Sequence, residues 1–313
     1  MNCFVVRYNK HKYDILDFMR TPEIEKIYNK GVDWALGVVG VIITNRRLRK
    51  VIYDGQENIL KINENLGKGH SVLLVADHFG DDETRNDETL FSAGFMLRLN
   101  NRKTSGIFIR KEIVSGEMGL RGRTIAAILA RHKIEPLVVV TPKYESDAST
   151  RTNYNVPPVQ RSIKILGKPN GLVMDYSSGT RNPVMFEAED GLPFISAFAD
   201  WVVPMTTVIE NDAKPKIVIH KPIPGKTGVR RCMKEFEREA GRQTYSDLVM
   251  NIIATGQPDS VKRGFYREQA GQLENYMRDP TGFTPRFEDE RTQKMMTAYI
   301  IWRAGGFERV REK

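Results

Sequence analysis

The sequence predicts an α/β fold with a largely parallel central sheet flanked by helices, preceded by an N-terminal helical segment. Three observations lead there. From Ser71 onward, short apolar runs recur along the chain. Stretches of helical periodicity fall between them. The runs are apolar at nearly every position rather than at alternate ones, as expected for strands covered on both faces.

Residues 1–67 read as mainly helical, packing on or beside the core. Thr21-Pro22 marks a helix start, Pro being suited to a first helical turn. Asp54 with Glu57 resembles a capping box; Ile59, Ile62 and Leu66 then share one helical face, and Gly67 can end that helix. Strands are predicted over residues 71–76, 105–109, 137–141, 172–176 and 202–209, with a sixth over 216–220. Helices are predicted over residues 84–99, 123–132 and 159–166. The longest loop candidate is 142–155, rich in Ser, Thr and Asp, a lid or a surface insertion. The α/β domain is expected over 68–266 and a charged helical extension over 267–313.

Of the 313 residues, 40% are hydrophobic and 28% charged, an ordinary globular composition that excludes a disordered chain. The net charge of +9 suits acidic surfaces, acidic carriers or anionic small molecules. Nucleic acid is not an expected partner, because no zinc-finger spacing, basic region joined to heptads or aromatic RNA-binding signature occurs. The two cysteines, Cys3 and Cys232, form no Cys-x-x-Cys pair, which argues against a cysteine zinc site or a disulfide framework and suits a reducing cytoplasm. Residues 1–20 lack an apolar signal core. The most apolar stretch, 35–43, is about half the length of a membrane-spanning helix. It suits a buried helix or an in-plane, peripheral contact with a membrane.

In a parallel sheet, ligands gather beyond the carboxyl ends of the strands. His78 follows the first strand, Arg110 ends the second, and Ser178, Gly179, Thr180 and Arg181 follow the fourth. A positioned imidazole can take a proton from a hydroxyl, and a carboxylate can fix its tautomer; Glu83, five residues on, is the candidate partner, with Asp81 and Asp82 competing. Arg110 and Arg181 offer planar forks for a phosphate, Gly179 allows close backbone approach, and Thr180 adds a hydroxyl. Pro204 interrupts an apolar run and predicts an edge or a bend. His11, His70, His132 and His220 have no comparable setting. The residues alone leave other readings open. The acidic residues after His78 can simply favour a helix N-terminus, with His78 structural. Asp77, His78, Asp81 and Asp82 also form an oxygen-rich cluster suited to a metal-dependent hydrolase built on the carboxylates from Asp77 to Glu83. A non-catalytic basic module binding membrane or nucleic acid is a third class.

Taken together these segments resemble the glycerolipid acyltransferase superfamily, which includes lysophosphatidate and glycerol-3-phosphate acyltransferases. His78 to Glu83 resembles the His-x-x-x-x-Asp motif, with Glu in place of Asp, and Gly106-Ile107-Phe108-Ile109-Arg110 resembles the second motif. Ser178-Gly179-Thr180-Arg181 resembles the third, with Ser178 where Glu is usual, and Val203-Pro204 resembles the fourth. Pro258 and Arg263-Gly264-Phe265-Tyr266 resemble the family's closing segment. The resemblance implies a glycerol-3-phosphate acyltransferase-like fold and a role in lipid metabolism and phospholipid biosynthesis. It implies transfer of a fatty acyl group from an acyl thioester, on coenzyme A (acyl-CoA) or acyl carrier protein (acyl-ACP), to a hydroxyl of glycerol 3-phosphate or a lysophospholipid. His78 and Glu83 would be catalytic. Arg110, Ser178, Gly179, Thr180 and Arg181 would bind the acceptor, and Pro204 would border the acyl site. No metal or redox cofactor is implied. Ser178 lacks the charge of the usual Glu, which leaves the acceptor open.

Overall fold

The structure is a computed structural model that describes residues 51–77, 94–111, 119–140, 147–176, 184–185, 187–188, 191–208, 214–258, 261–282 and 289–307. One sheet holds β1 (Ile52–Asp54), β2 (Val72–Ala76), β3 (Thr104–Arg110), β4 (Ile134–Val139), β5 (Gly171–Tyr176), β6 (Trp201–Val208), β7 (Lys216–Ile219) and β8 (Ile223–Pro224). Its order is β1-β7-β6-β2-β5-β3-β4, with β8 also paired to β6. Pairing is parallel throughout except where β6 meets β7 and β8. The described helices are α1 (Gln56–Gly67), α2 (Gly119–Arg131), α3 (Ala148–Leu166), α4 (Gly191–Ser196), α5 (Lys226–Glu235), α6 (Arg238–Thr255), α7 (Arg267–Arg278) and α8 (Glu290–Arg303). None of them is long and apolar enough to cross a membrane.

The run VLLVA becomes the central strand because each of its residues is wanted inside. All five positions of β2 are fully buried, and the strand pairs with β5 on one side and β6 on the other. Leu73 and Val75 join a core with Val173, Val202, Ile165 of α3, Leu192 of α4, Val249 of α6 and Met295 of α8. Val72, Leu74 and Ala76 join the opposite core with Ile62 and Leu66 of α1, Phe95 and Leu99 of the 94–99 segment, and Leu129 of α2. Each such aliphatic side chain contributes roughly 1.5–3 kcal/mol by leaving water.

The strand expectations over 71–76, 105–109, 172–176, 202–209 and 216–220 match β2, β3, β5, β6 and β7 over their described residues; β4 starts three residues earlier than expected. Three differences have physical causes. First, residues 52–54 form strand β1 instead of continuing a helical segment. Asp54 is therefore not a helix cap: it pairs with Lys216 at 2.7 Å, which holds its carboxyl below the usual range. The residue before α1 is Gly55 in the left-handed region (φ 88°), where an added Cβ would lie 2.3 Å from the Ile219 carbonyl oxygen. Secondly, residues 148–155 are helical, not loop. Asp147 caps α3 by accepting from the Thr150 N–H, and the helix runs through Pro157 and Pro158. The Asn155 amide exchanges two 2.9 Å hydrogen bonds with the Val140 backbone, giving the end of the β4 edge a partner. Thirdly, β8 has only two residues and no periodicity to read.

The C-terminal helices close the first core. Asp247 of α6 is fully buried, and Arg291 of α8 meets both its oxygens at 2.7 Å. Arg291 also reaches Glu187 at 2.6 Å and lies over the Phe265 ring at 4.8 Å. Burial raises the Asp247 pKa; the guanidinium opposes that shift. Removing it leaves a buried charge without compensation. Arg291→Ala should therefore cost about 3–5 kcal/mol in urea unfolding at about pH 8. The variant's Asp247 pKa rises further, so its protonated form is tolerated in the folded state and the deficit should shrink towards about pH 5. An unchanged unfolding midpoint at both pH values would show that the pair contributes nothing.

Candidate active site at the carboxyl ends of the strands

Sheet register brings the expected strand ends together. Ala76 of β2 is level with Tyr176 of β5 and Met205 of β6. On the other side of β5, Met174 is level with Ile107 of β3, three residues before Arg110. β2, β5 and β3 thus finish side by side at one edge. The chain leaves β2 through Asp77, directly before His78, and leaves β5 through Tyr176, two residues before Ser178. His78, Glu83, Ser178, Gly179, Thr180 and Arg181 themselves lie outside the described residues, as do Asp81 and Asp82.

The described side chains at this edge alternate in a readable way. Leu73 and Val75 face the first core, and Asp77 continues their alternation. Asp175 follows Val173 to the same face, and Arg110 follows Phe108. One face of the edge therefore carries two carboxylates and one guanidinium. Asp77 is buried, while Asp175 and Arg110 are partly exposed. The guanidinium of Arg110 has the fork geometry for a phosphate.

Pro204 departs from the edge position its sequence suggests. β6 is interior, with β2 on one side and β7 and β8 on the other. Trp201 donates its N–H to Ser71 on the β2 side, so the nitrogen of Pro204, three residues on, points the other way. There the β8 ladder covers Trp201 and Val202, and the β7 ladder begins at Met205. Pro204 fills the break between two partners, where no ladder donor is required. Its carbonyl still accepts from the His220 N–H at 3.0 Å.

His220 is a feature that sequence reasoning passed over. Its Nε2 lies 2.8 Å from Thr206 Oγ1, and that hydroxyl donates to the Ile253 carbonyl at 2.6 Å. The hydroxyl proton is thereby committed, so Nε2 must carry a proton and Nδ1 the lone pair. Burial lowers the pKa of the ring to about 4, against an opposing pull from Asp54. A base that weak is poorly matched to proton abstraction at neutral pH, and the arrangement instead joins β6, β7 and α6. Gly256 permits the approach: a Cβ there would sit 2.3 Å from Thr206 Oγ1 and 2.9 Å from His220 Nε2. The available signal was alternation, since Val218 and His220 share a strand face.

Among the described residues no group of three His, Cys, Asp or Glu side chains is placed to hold a metal ion. Cys232 is buried, and burial pushes its thiol up to about 12, which leaves it unreactive. The chain matches no protein-family model and no curated protein.

The lowered pKa of His220 fixes the sign of a pH dependence. The unfolded ring binds a proton near 6.5 and the folded ring near 4, so stability is fully present above 6.5 and is lost as pH falls through that window. The loss should reach at most about 3 kcal/mol. An NMR titration of the ring with a midpoint near 4 is expected, and a midpoint near 6.5 would contradict the assignment of a ring kept neutral by its surroundings.

Proposed function

We propose that this protein is an O-acyltransferase of the glycerolipid type. It moves a fatty acyl group from a thioester, on coenzyme A or acyl carrier protein, to the hydroxyl of a phosphate-bearing glycerolipid precursor. The observation that carries the reading is the parallel, in-register convergence of β2, β5 and β3. The segments holding the three polar motifs start from, or end on, neighbouring strand ends of one sheet edge, where such a fold collects its ligands.

In this reading the acceptor phosphate lies against Arg110, Thr180 and Arg181, and Gly179 lets the backbone approach. Ser178 offers a hydroxyl. His78 takes the proton of the acceptor hydroxyl while Glu83 steadies the ring. The oxygen attacks the thioester carbonyl, the carbon–sulfur bond breaks, and the departing thiolate takes the proton from the imidazolium. No acyl-enzyme is needed. Asp77 and Asp175, one buried and one partly exposed, share the sheet face that carries Arg110. Pro204 borders the acyl chain.

The test is to incubate purified protein with acyl-coenzyme A or acyl carrier protein and a panel of acceptors, and to identify product by mass. His78→Ala should lose roughly 10²–10⁴-fold in turnover with an unchanged circular dichroism spectrum. Arg110→Ala should chiefly raise the KM for phosphate-bearing acceptors. Near-normal turnover in folded His78→Ala sinks the mechanism. An activity abolished by chelators would instead point to metal-dependent hydrolysis.

A further inference from the structure

The opposite edge of the sheet, where β2, β3 and β5 begin, holds a second polar feature. Three connections meet there: residues 67–70 after α1, 99–103 before β3 and 167–170 after α3. They are stitched together. Asn170 donates its N–H to Gly69 (3.2 Å) and its side-chain amide to Leu66, while Lys103 donates to the Asn170 carbonyl (3.2 Å). Asn63 accepts from the Asn100 N–H at 2.9 Å, and its carbonyl accepts from the Asn101 side chain at 3.0 Å. Between the connections lies a cleft of about 590 Å³.

Among the described residues its lining carries three cations, Lys68, Arg102 and Lys103, together with asparagine amides, and holds no acidic and no aromatic side chain. Lys68 is engaged with Glu64 at 2.5 Å. Arg102 is partly buried and donates to the Leu99 carbonyl at 3.1 Å. Among the described residues no carboxylate pairs with Arg102 or Lys103. The surrounding field is positive as well: the pKa of His132 is lowered by its burial and then by Arg102 and Arg131. A partly buried guanidinium without a counter-charge is costly, and a bound anion would remove that cost. α1 ends at this cleft, and the carbonyls of Glu64, Asn65 and Leu66 in its last turn already accept from Lys68, Gly69, His70 and Asn170.

We propose that this cleft binds the diphosphate group of a small molecule, held by Arg102 and Lys103 with the asparagine amides at its rim. Planar Arg forks and Lys donors match phosphate oxygens. The absence of an aromatic ring means that the phosphates, not a stacked base, are recognised. The site stands apart from the acyl-transfer edge and does not depend on that reading.

Isothermal titration with inorganic diphosphate, at fixed ionic strength, tests it. Wild type should bind diphosphate saturably. Arg102→Gln and Lys103→Gln should each weaken binding roughly tenfold or more, the loss of one charge-assisted contact. Lys294→Gln, on α8 and outside the cleft lining, should leave it unchanged. ADP should bind no more tightly than diphosphate. Absence of wild-type binding overturns the proposal. So does a loss confined to Arg110→Gln, which assigns the anion to the other edge, or an equal loss in Lys294→Gln, which reduces it to surface charge. Melting temperatures monitor folding, and exposed Lys103 supplies the decisive variant if Arg102→Gln is unstable.

Discussion

Strand β2 has no solvent face, and most of the fold follows from that. Its five residues are fully buried, three towards one core and two towards the other. Its backbone groups are shared with parallel neighbours on both sides. Parallel neighbours require long crossovers, and a strand buried on both faces requires those crossovers to cover both. α1 and the 94–99 segment are recruited to one side, and α3, α4, α6 and α8 to the other. The same pairing fixes where the strands stop, so a backbone constraint in the interior decides which polar residues meet at the rim.

The legibility of this chain in its sequence follows burial. Strands covered on both faces announce themselves as apolar runs, and β2, β3, β5 and β6 were readable for that reason. β1 and β8 have three and two residues, too few for any period to register. The first half of α3 was hidden because Ser, Thr and Asn are poor helix formers and two prolines follow. Its formation depends on a local cap at Asp147 and on Asn155 reaching Val140, and only the cap is visible in the sequence. Pro204 was recognisable as exceptional, but its explanation lies in two partners that arrive from later in the chain.

At the candidate site the sequence supplied residue types and order, and the sheet supplied adjacency. Asp77 and Asp175 show the limit of the first. Asp77 was read as a metal candidate, yet register puts it and Asp175 on the same face of neighbouring strands with Arg110. His220 shows the converse. A histidine at a strand end invites a chemical role, and its Thr206 contact with a pKa near 4 gives it a structural one.

The pairing of Asp247 with Arg291 spans forty-four residues, and this has a consequence for how the chain is made. During synthesis the sheet and α6 emerge well before α8, so a nascent chain that docked α6 early would seal in a carboxylate with no guanidinium to meet it. Met295, Met296 and Trp302 of α8 fill the same layer, so the first core is complete only with α8 in place.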